Sequence, residues 1–291
     1  MSETIRSYLR GTYLLHRSIS TKASDTLGYS VACLDKWAGQ PVLLTEATAT
    51  MLCKWVESCQ DSYAPSTIKR MRGDVLCVLR HAALTGKCGC PNHLLVRSVR
   101  VPLTVPRAWT IANMAGILSA AENLPGAFPT GLARGLFFSA LVRVSWDAGT
   151  RLSDTTRIDK QDITHSVWAT SQAKTGTPLA AHLRDSTLAA LDRIDSNVPL
   201  KLPCWNKSLY YWWRKICHAA SVPYMGFHGL RRSASTAVAA VDPAGVSAFL
   251  GHADERTKRR YIDMRLTCNT AMPPELTGTA TGCGSLMRSC R

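Results

Sequence analysis

Apolar residues recur at intervals of three and four along SDTLGYSVACLDKW, LTEATATMLCKWVESC and PSTIKRMRGDVLCVLRHAAL, the spacing that gathers them into one stripe of an α-helix. Ser24 or Asp25, Thr45 with Glu46 behind it, and Ser66 after Pro65 offer N-terminal cap chemistry, and Gly39 and Gly86 stand where such helices stop. Residues 1–100 are therefore expected to form an all-α domain of three to five helices. In VRSVRVPLTVPRAWT, Pro102 and Pro106 bias their predecessors toward extended geometry and mark residues 101–107 as a linker. Helical spacing resumes in TIANMAGILSAAENL and in GLARGLFFSALVRVSWDAG, which Gly149 terminates. The period then changes: ITHSVWATSQAKTGTPLAAHL reads as two short strands around the turn Lys174-Thr175-Gly176-Thr177. Helices return through TLAALDRI, SLYYWWRKICHAA, LRRSASTAVAAV and PAGVSAFL. The expectation is a mainly α protein with a small antiparallel β-sheet, of α+β class. Its second domain spans 108–265, and residues 266–291, rich in Thr, Gly, Pro and Ser, are predicted to form a mobile tail.

Charge adds a partner to this picture. The 291 residues carry a formal net charge of +15. Before Pro106 there are 13 Lys and Arg against 7 Asp and Glu, and from Pro106 onward 22 against 13. An excess shared by both halves fits a polyanion held from two sides better than a basic tail on a neutral enzyme. No stretch reaches the ~20 apolar residues of a membrane span, and the N-terminal MSETIRSYLRGTYLLHRSIS is not read as an export signal. The expected location is the cytoplasm, associated with the nucleoid, or the nucleus in a eukaryotic host.

The 11 cysteines are odd in number and scattered, many inside apolar helical patterns such as MLCKWV and DVLCVL, so reduced, buried thiols are expected. Cys88, Cys90 and His93 in GKCGCPNH lie close in sequence, but zinc sites use a two-residue spacer and a second ligand pair, and a Gly/Pro loop is the preferred reading. No Gly-rich nucleotide loop is present. Neither a metal nor a cofactor is expected.

Five polar stretches carry candidate chemistry. Arg151 follows the Gly149 stop, with Asp154 three residues on either to orient it or to cap the next helix. Lys174 sits in the hairpin turn, His228 and Arg231 share a helical face in HGLR, and His252 follows Leu250-Gly251 nine residues before Tyr261. Singly, each has an ordinary explanation as a solvated, capping or core residue. Together they suit phosphoryl transfer. Two guanidiniums can grip the non-bridging oxygens where charge grows at pentacoordinate phosphorus. A tyrosine, weak as a nucleophile at its usual pKa of about 10, gains reactivity beside cations or a base. The leaving oxygen needs a proton, which Lys174 could deliver. Of the three basic residues before Tyr261, only Lys258 lies near its helical face, so the cations that act on the phenol should come from elsewhere in the chain.

AGTRLSDTTRI, AKTGTPL, HGLRRSASTAVAA and LGHADERTKRRYIDM resemble, in order, the boxes of the tyrosine recombinase (phage integrase) family, over about residues 108–265. The resemblance implies that Arg151 and Arg231 are the arginine pair, Lys174 the hairpin lysine, His228 and His252 the two histidines, and Tyr261 the nucleophile. It implies a site-specific recombinase that cuts one strand of double-stranded DNA, holds a 3′-phosphotyrosine and lets a partner 5′-hydroxyl attack it. Such a protein works as a homotetramer on paired DNA sites, without metal, cofactor or small-molecule substrate, and clamps DNA with a helical domain of the size found at residues 1–100. Asp154 stands where the family more often carries glutamate. Neighbouring readings are a type IB topoisomerase-like enzyme, a telomere resolvase, or a non-catalytic DNA-binding relative; the histidine at 228 favours the recombinase.

Overall fold

A computed structural model describes residues 3–251 and Ile262, with Asn206 described by its backbone alone. The chain divides into two compact units, Met1–Leu103 and Thr104–Arg291. His252, Tyr261 and the predicted tail lie outside the described residues.

The first unit is helical. A reciprocal cap between Thr4 and Ser7 starts α1 (Ile5–Tyr8), which runs through a π-helical turn, Leu9–Tyr13, into α2 (Leu14–His16). Then come α3 (Thr21–Ala38), α4 (Ala49–Ser58) and α5 (Pro65–Leu84). Gly39 ends α3 in the left-handed conformation with φ 75°. The caps are not the residues expected from sequence: α3 is capped by Ser20 and α4 by Thr48, while α5 starts with Pro65 at its first position after an extended Ala64. Ser24, Asp25 and Ser66 are already inside helices. A cap is the residue whose backbone is still extended as its oxygen reaches back to the third amide, and several hydroxyls in a row can compete for that position.

Ile5, Tyr8, Leu34, Leu52, Trp55, Met71 and Leu79 fill this core. The expected burial of the thiols is corrected: of the eight described cysteines only Cys59 and Cys217 are buried, and Cys77 is exposed. On α5 the inward stripe is Val75, Leu76, Val78, Leu79 and Ala82, and position 77 turns outward between them. Among the described residues no three His, Cys, Asp or Glu side chains gather to hold a metal, and no helix is long and apolar enough to cross a membrane.

The second unit packs around one helix. α6 (Ile111–Glu122) leads to α7 (Arg134–Ala148), whose Phe137, Phe138, Ala140, Leu141 and Val144 are fully buried and none of whose residues is exposed. α7 is the hub for α6, the short α8 (Leu152–Thr155), β3 (Pro178–His182), α9 (Asp185–Asp192) and α11 (His228–Val241). α10 (Asn206–Ala219) lies between α9 and α11 in sequence, and α12 (Val246–Leu250) ends at Gly251 with φ 58°. Trp213 of α10 stacks on Phe227 at 4.8 Å between centroids and meets Trp109 edge to face at 5.9 Å.

The sheet has three antiparallel strands rather than the two expected: β1 (Ile163–Thr164), β2 (Val167–Ser171) and β3, in order β1-β2-β3. β1 pairs Ile163 with Trp168 across a turn at His165 and Ser166, both at positive φ. A two-residue strand leaves too short a pattern to be read in the sequence. β2 and β3 pair Trp168 with Ala181 and Thr170 with Leu179, which turns Trp168, Leu179 and Ala181 inward.

Candidate active site

Arg151 enters as the extended N-cap residue of α8, released by the left-handed stop at Gly149. Glycine is required there twice over: φ is +58°, and a Cβ would lie 2.3 Å from the Phe249 ring of α12. The Arg151 guanidinium donates from Nη1 to Oε1 of Gln172. Asp154 lies inside α8 and so does not cap it, and its carboxylate pairs with Arg151. Its Oδ1 accepts the Ala173 amide of the hairpin at 2.9 Å, and Oδ2 stands 3.9 Å from Arg151 Nη1. The carboxylate thus holds the start of the turn and only loosely accompanies the arginine.

Arg231 lies one turn into α11, 1% exposed. Its Nη1 donates to the Gly149 carbonyl at 2.6 Å and its Nη2 to the Leu250 carbonyl at 3.0 Å. One planar fork therefore ties the end of α7 to the end of α12. His228 opens the same helix. The residue is exposed, and partial desolvation of the imidazole, followed by the guanidiniums of Arg232, Arg231 and Arg151, lowers its pKa to about 4. His228 is neutral near pH 7, within the field of both arginines assigned from sequence.

Two indoles hold the approach to His228. Trp109 Nε1 donates to the Pro223 carbonyl at 3.0 Å and Trp213 Nε1 to the Met225 carbonyl at 2.8 Å. The Trp109 amide also donates to Ser233 Oγ at 2.8 Å on the next turn of α11.

Lys174 is exposed in the turn between β2 and β3. That turn closes through Gly176 N to Gln172 O at 2.8 Å and Gln172 N to Thr177 O at 2.9 Å, with Gly176 at φ 67°. Arg151, His228 and Arg231 are thus brought together, and Lys174 sits two residues from the glutamine that Arg151 grips. Arg231 and Gln172 both bind the carbonyl of Leu250, two residues before His252.

Gln172 itself is absent from the sequence reading. It is 1% exposed and its amide joins three segments of the site. A signal for it exists: counting in twos from the inward Trp168 arrives at 172, so the strand alternation points this polar side chain into the protein.

The model of the phage integrase family matches residues 117–266. Sequence comparison with curated proteins finds no match. Among solved structures the chain is similar in fold to a lambda integrase dimer bound to a COC′ core site, with TM-score 0.73 and 18% identity, covering 95% of this chain and 81% of that one. It is also similar to XerH site-specific recombinase bound to difH substrate, at TM-score 0.64 and 14% identity over 88% of this chain and 81% of the other. A third likeness is to the Tn1549 transposon integrase in complex with a circular intermediate DNA, at TM-score 0.68 and 13% identity over 90% and 95%.

Proposed function

From the premise that the chain belongs to the phage integrase family, we propose that it is a site-specific DNA recombinase acting through a covalent 3′-phosphotyrosine. The observation that carries this reading is the gathering of Arg151, His228 and Arg231 from two segments about 80 residues apart, with Arg231 directly and Arg151 through Gln172 tied to the chain at Leu250, two residues before His252.

Duplex DNA would present a phosphodiester to the two guanidiniums. The Tyr261 oxygen attacks phosphorus as the bond to the 5′-oxygen breaks. Charge on the non-bridging oxygens rises along the way, and Arg151 and Arg231 stabilise it in place without reorganising. The phenolic proton leaves to a basic nitrogen, and neutral His228 has one to offer. Lys174, on its exposed turn, supplies a proton to the departing 5′-oxygen. A 5′-hydroxyl from a partner strand reverses the same steps, so bond energy is kept in the phosphotyrosine and rejoining draws on no other energy source. Exchange between two duplexes calls for four protomers on paired sites, and both units carry positive charge to contribute to phosphate contacts.

Nicked duplexes of random sequence, in which the freed strand diffuses away after cleavage, test the reading. The expected result is a covalent protein–DNA adduct with the wild-type chain and none with Tyr261→Phe. Duplex binding with no adduct at any sequence would instead identify a non-catalytic relative.

A further inference from the structure

We propose that Gln172 is a positioning residue of this site: its side-chain amide locks Arg151 and the Lys174 turn to the main chain entering His252. The proposal rests on the recombinase reading for its catalytic consequence, but the lock itself is a property of the fold.

The amide is saturated. Its oxygen accepts from Arg151 Nη1 and from Thr175 Oγ1 at 3.3 Å, and its nitrogen donates to the carbonyls of Leu250 at 2.9 Å and Gly251 at 3.3 Å. The orientation is dictated by the partners, because a guanidinium cannot accept and a carbonyl cannot donate. Gly251 is fitted to it: a Cβ there would lie 2.3 Å from the Gln172 nitrogen.

The Leu250 carbonyl also receives Arg231, and Arg231 reaches on to Gly149, two residues before Arg151. The contacts therefore close a ring from Arg151 through Gln172, Leu250, Arg231 and Gly149 back to Arg151. Breaking one member frees both arginines to shift relative to the chain that carries the nucleophile. A neutral amide suits this role. A carboxylate in its place would orient Arg151 equally well but spend on itself the positive charge that the phosphate requires. Asp154, with Oδ2 at 3.9 Å from Nη1, already offsets part of that charge, and a second carboxylate at position 172 would offset more.

Two near-isosteric variants of the full chain test the proposal: Gln172→Met removes all four hydrogen bonds, and Gln172→Glu keeps the acceptors but loses both donors. In the free protein, hydrogen exchange is expected to quicken in Gln172→Met both at residues 172–177 and at 246–251, by more than the accompanying fall in melting temperature accounts for. Quickening at the hairpin alone would overturn the lock. On duplex captured by the wild-type chain from a random-sequence pool, adduct formation at saturating DNA should slow about 100-fold in both variants. The half-saturating DNA concentration should move by less than about threefold. A saturated rate within about threefold of wild type in a folded variant, or a rate loss matched by lost folding or binding, would overturn the positioning role. Should the wild type capture no DNA, the recombinase reading fails, and the exchange measurement still decides whether the lock exists.

Discussion

Arg231, which the proposed mechanism uses to hold the phosphate, also serves the architecture. Its fork satisfies two buried carbonyls, at Gly149 and Leu250, so truncation removes more than a charge. Arg231→Ala is expected to destabilise the chain by about 1–3 kcal/mol, because it orphans the Gly149 carbonyl while the Leu250 carbonyl keeps the Gln172 amide. Urea denaturation run beside the adduct assay separates this cost from lost catalysis, and an unchanged midpoint would contradict the tie. His228 carries the pH dependence. Its folded pKa of about 4 lies below the ordinary 6.5, so between those values the unfolded chain binds the proton that the folded one refuses. Stability from this residue is complete above pH 6.5 and is lost as pH falls toward 4. A phosphate set among Arg151, Arg231 and His228 pushes the other way and raises the imidazole's pKa. Ring titration by NMR should therefore show a higher His228 pKa in the DNA complex than in the free protein, and DNA binding should tighten as pH drops from 7 to 5. A pKa unmoved by DNA would place the phosphate elsewhere. Of the site's residues, those legible in the sequence are the ones with distinctive chemistry in recognisable surroundings, such as Arg151 and His228. Gln172 was not, because its importance lies in which distant carbonyls reach it, and a polar residue near a turn ordinarily faces water.

At the scale of elements, the strong periodicities were legible and the short or competing ones were not. The α-rich class with a small antiparallel sheet follows from runs long enough to set a period, as in α3, α5 and α10. Strand β1, two residues long, and the choice between neighbouring hydroxyls at the starts of α3 and α4 depend on tertiary context. Context also explains how α11 is aimed. The loop before His228 hangs from two indole N–H groups, Trp109 on Pro223 and Trp213 on Met225. Trp213→Phe keeps most of the aromatic packing while orphaning the Met225 carbonyl, at a cost of about 1–3 kcal/mol. The cleavage rate should fall further than that loss of stability explains, because His228 and Arg231 begin the helix that the loop delivers. Denaturation and single-turnover cleavage on the same preparation check this, and a variant with lowered stability but wild-type rate would show that the tether only holds the fold.

At the scale of the whole molecule, two separate cores raise the question of what each unit adds. Trp55 and Leu34 belong to one core and Phe137, Phe138 and Trp213 to the other, and the two share no described residue. Each unit can thus bury its own apolar surface, and each carries its own positive excess: 13 basic against 7 acidic residues through Leu103, and 22 against 13 beyond it. Charge of this kind acts through displaced counterions, so affinity for any duplex falls as a power of salt concentration, with exponent about 0.9 per neutralised phosphate. For the full chain, six or more contacts would cost about 1,000-fold or more in affinity between 50 and 200 mM salt. A fragment of residues 104–291 retains the second core and loses the first unit's charges, so its plot of log affinity against log salt should be shallower. The difference between the two slopes, divided by about 0.9, counts the phosphates held by the first unit. Equal slopes would mean that the first unit's excess charge never meets DNA, and that its helices serve another purpose than grip.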